Sequence, residues 1–113
     1  MLKLLAKLYL FGQGPLVAPL AGVNGFTGRG AIGYAGRNGR SKRMRVFMRG
    51  VAGRNADIFA DGALAASTKV KNGRVWAHFA SERGDPVPAL EEGAVIEIRQ
   101  NGDVILSGVL SRK

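Results

Sequence analysis

Three dipeptides in the second half of this chain, Asp61-Gly62, Asn72-Gly73 and Asn101-Gly102, constrain its fold more than any other feature. Each joins two short runs in which apolar residues tend to recur at every second position. A two-residue hairpin turn needs two residues at positive φ, and Asn-Gly or Asp-Gly supplies them at little steric cost. Around Asp61-Gly62, residues 55–60 and 63–70 therefore read as strands. Closing Asn72-Gly73 as a hairpin sets Val70 opposite Val75, Thr68 opposite Ala77 and Ala66 opposite Phe79. The other face then pairs Lys69 with Trp76 and Ser67 with His78. Around Asn101-Gly102, residues 94–100 pair with 103–110, so that Ile98 meets Ile105, Arg99 meets Val104 and Glu97 meets Leu106. Upstream, Met44, Val46 and Met48 alternate with Arg43, Arg45, Phe47 and Arg49, giving one apolar and one mostly basic face. Pro86 and Pro88 place 81–93 in a loop. Turns at this spacing predict an all-β chain, a small antiparallel β-sandwich or barrel built from hairpins, with roughly five to eight strands.

The first part of the chain reads differently. Seventeen of the 113 residues are Gly, about twice the usual share, which favours turns and tight backbone contacts over long helices. Residues 12–40 form a Gly-rich stretch expected to hold loops and one short strand near 31–35. Gly30, Gly33, Gly36 and Gly39 recur every third residue, but four repeats without Pro cannot build a collagen helix. Before this stretch, residues 2–11 fit two readings. As a strand, Leu2, Leu4, Leu8 and Leu10 share one apolar face; as a helix, Lys3 and Lys7 sit together and the leucines cover the rest. The run is broken by Gly12, Gly14 and Pro15 and is far shorter than the ~20 residues of a membrane span. It reads as an uncleaved structural segment, which suits a cytoplasmic protein or an assembly component such as that of a virion. The expected organisation is one domain over 1–113, with an apolar strand or arm and the Gly-rich segment in 1–40 and an antiparallel β core in 41–113.

The net charge of +9 is divided unevenly. Residues 1–56 carry ten Lys or Arg and no acid, whereas residues 57–113 carry seven basic and eight acidic side chains. Such a split predicts a basic surface for nucleic acid, an anionic lipid surface or an acidic protein patch. The basic binding face is expected from Arg37, Arg40, Lys42, Arg43, Arg45, Phe47, Arg49 and Arg54, since guanidinium groups chelate phosphates and an interleaved aromatic can stack on a base.

Catalytic groups are sparse. There is no Cys, which removes disulfides, thiolate metal sites and Cys nucleophiles, and His78 is the sole histidine. Ser67 would neighbour His78 in the expected hairpin, but a nucleophile also needs an oriented base and an oxyanion hole, and nothing nearby provides them. The carboxylates read as solvated loop and strand-edge groups. Gly28, Gly30 and Gly33 match a dinucleotide-binding fingerprint literally, but the Gly-rich residues that follow cannot form the helix this motif requires. No enzyme, cofactor or metal site is expected.

The segments Gly84-Asp-Pro-Val-Pro-Ala-Leu-Glu-Glu-Gly93, Val95-Ile-Glu-Ile-Arg99 and Gly102-Asp-Val-Ile-Leu-Ser-Gly108 resemble a pattern in small uncharacterised bacterial all-β modules. Those modules are similar to chordin-type (CHRD-like) repeats. The resemblance covers residues 56–110 and implies a β-sandwich without established enzymatic activity, in a group often exported. Together these readings predict a non-catalytic structural or binding module that self-associates or docks into a larger complex. Its apolar segment would pair with a neighbour's sheet edge and its basic face would meet an acidic partner. The alternative is a nucleic-acid-binding protein using residues 37–54, with membrane-surface contact third.

Overall fold

The computed structural model describes residues 15–36 and 41–112. They form nine strands and one 3₁₀ turn: β1 (Leu16–Gly22), β2 (Arg29–Gly36), β3 (Lys42–Arg49), β4 (Asn55–Ala60), β5 (Ala63–Lys69), β6 (Arg74–Ala80), the turn at Ser81–Arg83, β7 (Val95–Gln100), β8 (Asp103–Val109) and β9 (Ser111–Arg112). The order across the single sheet is β5-β4-β7-β8-β1-β2-β3-β6, with β9 beside β1, and every pairing is antiparallel. The sheet curls until its two ends, β5 and β6, approach each other without pairing, so the barrel is nearly closed.

Alternation decides what lies inside. Ala18, Ile32, Met44, Val46, Met48, Ile58, Ile96, Ile98 and Leu110 are wholly buried, and each large one contributes roughly 1.5–3 kcal/mol by leaving water. Tyr34 enters this core with its hydroxyl satisfied. It donates to the Pro88 carbonyl at 2.9 Å and accepts from the Leu90 N–H at 3.1 Å. One phenol thereby pins the loop after the 3₁₀ turn against β2.

Four two-residue turns share one chemistry. Asn24-Gly25, Asp61-Gly62, Asn72-Gly73 and Asn101-Gly102 all have both residues at positive φ, the geometry of a type I′ hairpin turn. The first of them lies in the Gly-rich stretch, where the sequence predicts only loops around one strand near 31–35. Two strands are found there instead, and β1 and β2 stand in the middle of the sheet rather than outside it. Pro19 hides β1 in the sequence. The ladder from β1 to β8 covers only Ala21–Ser107 and Gly22–Leu106, then resumes on β9 at Leu16–Arg112 and Val17–Ser111. Pro19, lacking an N–H, occupies the gap.

Two expected pairings are corrected. Asn72-Gly73 makes its turn, but only Lys71 and Arg74 bridge across it. The Val70 N–H turns away to the Arg54 carbonyl at 2.7 Å, and β6 runs along β3 instead, pairing Arg45 with His78, Phe47 with Trp76 and Arg49 with Arg74. A tight turn fixes only its own first bridge; β3 offers β6 seven paired positions, from Arg43–Ala80 to Arg49–Arg74. In the β7–β8 hairpin, Ile98 meets Leu106 and Glu97 meets Ser107, because a bulge beside Ile98 and Arg99 shifts the register by one residue. Ile105 and Leu106 are consequently both buried, which regular alternation forbids. Arg99 does pair with Val104. Residues Leu2, Leu4, Leu8, Leu10, Arg37 and Arg40 lie outside the described residues.

Gly30 and Gly33 on β2 make a direct test of the packing. A Cβ on Gly30 would stand 2.1 Å from the Phe47 carbonyl oxygen, whereas one on Gly33 would meet nothing within 4 Å. Gly30→Ala should destabilise the fold by roughly 1–3 kcal/mol through forced backbone displacement. Gly33→Ala should stay within about 0.5 kcal/mol of the parent. Urea unfolding of the two variants measures the difference.

Candidate polyanion-binding face

The inward register of β3 dictates what its outer face shows. With Met44, Val46 and Met48 in the core, Arg43, Arg45, Phe47 and Arg49 must point outward, and all four are exposed. β2 and β6 pair with β3 on either side, so cross-strand rows form on this surface. Arg29 pairs with Arg49, and Arg49 with Arg74, placing three guanidinium-bearing residues side by side across three strands. The next outer row is Ala31, Phe47 and Trp76; the one after it is Gly33, Arg45 and His78. Phe47 and Trp76 touch edge to face, with centroids 5.0 Å apart and planes at 77°. Trp76 is nevertheless 82% exposed.

Two concavities flank this surface. A hollow of about 400 Å³ sits at the arginine row, lined by Arg29, Arg49, Arg74 and the backbone of Gly28, Gly50 and Gly73. A cleft of about 610 Å³ follows the seam between β5 and β6, where Lys69, Lys71, Arg74, Trp76 and His78 line it. Among the described residues, no acidic side chain lines either one.

Six of the eight carboxylates are engaged elsewhere. Glu82 takes a hydrogen bond and an ion pair from Arg43 at 3.0 Å and a hydrogen bond from the Ser41 hydroxyl at 2.9 Å, which together hold its pKa below the ordinary value. Asp85 is likewise lowered, first by the Ala80 N–H it accepts at 2.9 Å and then by Arg83. Glu97 pairs with Arg99 and Glu92 with Arg112. Asp57 accepts from Ser67 at 2.8 Å, and Asp61 accepts from the Val95 N–H at 2.8 Å. Among the described residues, Arg29, Arg45, Arg49 and Arg74 form no ion pair with a carboxylate.

The expected basic face thus divides. Arg45, Phe47 and Arg49 stand together on the barrel's outer surface. Arg43 is on the same strand but tied to Glu82. Lys42 is half-buried, its backbone N–H donating to the Ser81 hydroxyl at 2.8 Å, and Arg54 lies in the β3–β4 connection. Arg29, Arg74 and Trp76 belong to the face although the sequence does not group them with it. Arg74, Trp76 and His78 do share the period of β3, but a β6 assigned to β5 carries them elsewhere, and no local signal marks Arg29 within its Gly-rich surroundings. Ser67 is bonded to Asp57 rather than to His78.

Among the described residues, no three His, Asp or Glu side chains gather as a metal site, and no helix is long and apolar enough to cross a membrane. Neither the protein-family models nor the curated proteins contain a match to this chain.

The lowered pKa of Asp85 links the turn to pH. A carboxyl whose folded pKa lies below its unfolded value, near 3.8, stabilises the fold above that value and loses this contribution as pH falls through the folded one. Asp85→Asn should therefore lower the Tm at neutral pH, and its Tm and the parent's should converge as the solution is acidified below about pH 4. Thermal melts across pH read the convergence.

Proposed function

We propose that this chain is a non-catalytic binding module that holds a polyanionic partner on the outer face of β2, β3 and β6. The observation that carries this reading is the Arg29, Arg49 and Arg74 row. Like charges placed directly opposite in a sheet are destabilising by up to about 1 kcal/mol per pair. Three arginines in register, with no carboxylate beside them, are a local liability that a chain of negative charges relieves. The guanidinium fork suits phosphate or carboxylate oxygens, and the hollow below admits them. The resemblance of residues 56–110 to chordin-type repeats belongs with this proposal, since it implies no established enzymatic activity.

Binding of inorganic polyphosphate, followed by calorimetry at rising salt, tests the reading. Affinity should fall steeply with salt, and the double substitution Arg49→Ser with Arg74→Ser should reduce the log–log slope by roughly 1 for each phosphate left without its arginine. Arg99→Ser, on β7 and over the Phe59 ring at 4.0 Å, should leave the slope unchanged. No binding at low salt would remove the proposal.

A second reading, self-association, is favoured by the seam. Among the described residues no strand pairs with the free edge of β5 or of β6 beyond the Lys71–Arg74 bridge, and a free edge is a template for another strand. Light scattering on the intact chain and on one beginning at residue 12 should show an oligomer for the first and a monomer for the second. A monomeric intact chain counts against it.

A further inference from the structure

We infer that the polyanion is a single-stranded nucleic acid, with phosphates on the arginine rows and a base stacked on Trp76; this rests on the polyanion reading of the same face. Polyphosphate, sulfated polysaccharide and acidic peptide would all satisfy the arginines. None of them accounts for an indole 82% exposed on the edge strand of a basic surface. Residues two apart on a strand lie about 7 Å apart. The aromatic row of Phe47 and Trp76 is therefore bracketed at that distance by Arg49 and Arg74 on one side and by Arg45 and His78 on the other. Cation, aromatic and cation rows in sequence suit a ligand that alternates phosphate and flat base, and base–aromatic stacking is the sequence-tolerant means of binding single strands.

Shape agrees with charge. The outer positions of β2 beside Phe47 and Arg45 are Ala31 and Gly33, and open space lies above Gly33, so the flank of Phe47 is left clear. The edge-to-face contact with Phe47 supports the indole on one side. Arg74 lines both the arginine hollow and the seam cleft, and Trp76 follows it into the cleft beside Lys69 and Lys71. A strand crossing Arg74 thus meets basic side chains before and after the indole. Bases in a duplex are already stacked on one another and cannot present a face to Trp76, which selects the single-stranded form.

Trp76 is the sole tryptophan, so intrinsic indole fluorescence reports this position alone. Oligo(dT), the corresponding duplex, polyphosphate and poly-Glu would each be titrated against the full chain and against Trp76→Ala and Trp76→Phe. Oligo(dT) should quench the fluorescence and bind at least about tenfold more tightly than the other three at equal charge. By a competition assay, Trp76→Ala should weaken oligo(dT) affinity about tenfold with an unchanged salt slope and unchanged polyphosphate binding. Trp76→Phe should retain most of the affinity. The side chain is exposed, so neither variant should unfold, and thermal melts of each check this. Oligo(dT) binding no tighter than polyphosphate and without quenching would overturn the inference while leaving the polyanion reading intact. Preference for poly-Glu would also overturn it, in favour of an acidic protein. Absence of binding to all four would end both.

Discussion

A strand with sheet neighbours on both sides must turn every second residue into the core, and β3 does so with Met44, Val46 and Met48 wholly buried. The outer face depends on that constraint. A slip of one residue would carry Arg45, Phe47 and Arg49 inside and bring the methionines out. Burying an unpaired guanidinium costs several kcal/mol, so the basic face and the apolar face enforce the same register from opposite sides. β2 and β6 take their positions from β3, and the rows of Arg29, Arg49 and Arg74 and of Ala31, Phe47 and Trp76 follow. The rows of the candidate site are thus a product of core packing and strand pairing.

Local features of this fold are legible in the sequence, and long-range ones are not. Asp61-Gly62, Asn72-Gly73 and Asn101-Gly102 all turn as their composition dictates, since the φ preference of Asn, Asp and Gly is a property of two residues. The alternation of β3 is equally readable. Partner choice is not, because antiparallel alternation looks the same whichever strand lies alongside. Thus Asn72-Gly73 turns as expected while β6 pairs with β3, more than twenty residues earlier in the chain. The bulge beside Ile98 and Arg99 is hidden for a related reason: Ile105 and Leu106 are both apolar, and only the surrounding barrel makes both of them core. In β1, Pro19 suppresses a strand signal that Leu16, Ala18 and Leu20 otherwise give, and its missing donor falls where the ladder changes partner from β8 to β9.

The candidate site is half visible in the sequence for the same reason. Arg45, Phe47 and Arg49 belong to one strand, and a period of two groups them. Trp76, Arg74 and Arg29 join them only through the pairing of three strands, which no local pattern encodes. The basic cluster of the sequence also overstates the face, since Arg43 is held by Glu82.

The uneven charge of the chain acquires a structural meaning from where the acids go. Acids occur only from Asp57 onward, and the fold uses six of them in place: Asp57 with Ser67, Asp61 with the Val95 N–H, Glu82 with Arg43, Asp85 with Ala80 and Arg83, Glu92 with Arg112 and Glu97 with Arg99. None of these reaches the rows of Arg29, Arg49 and Arg74 or of Arg45 and His78. A fold under selection for stability alone would disperse the row of Arg29, Arg49 and Arg74, because mutual repulsion across adjacent strands opposes pairing. It would also cover an indole that remains 82% exposed beside Phe47. Both features are unfavourable for the free protein and both lie on the same three strands. The proposed ligand, which carries negative charge and a flat apolar surface together, would relieve both.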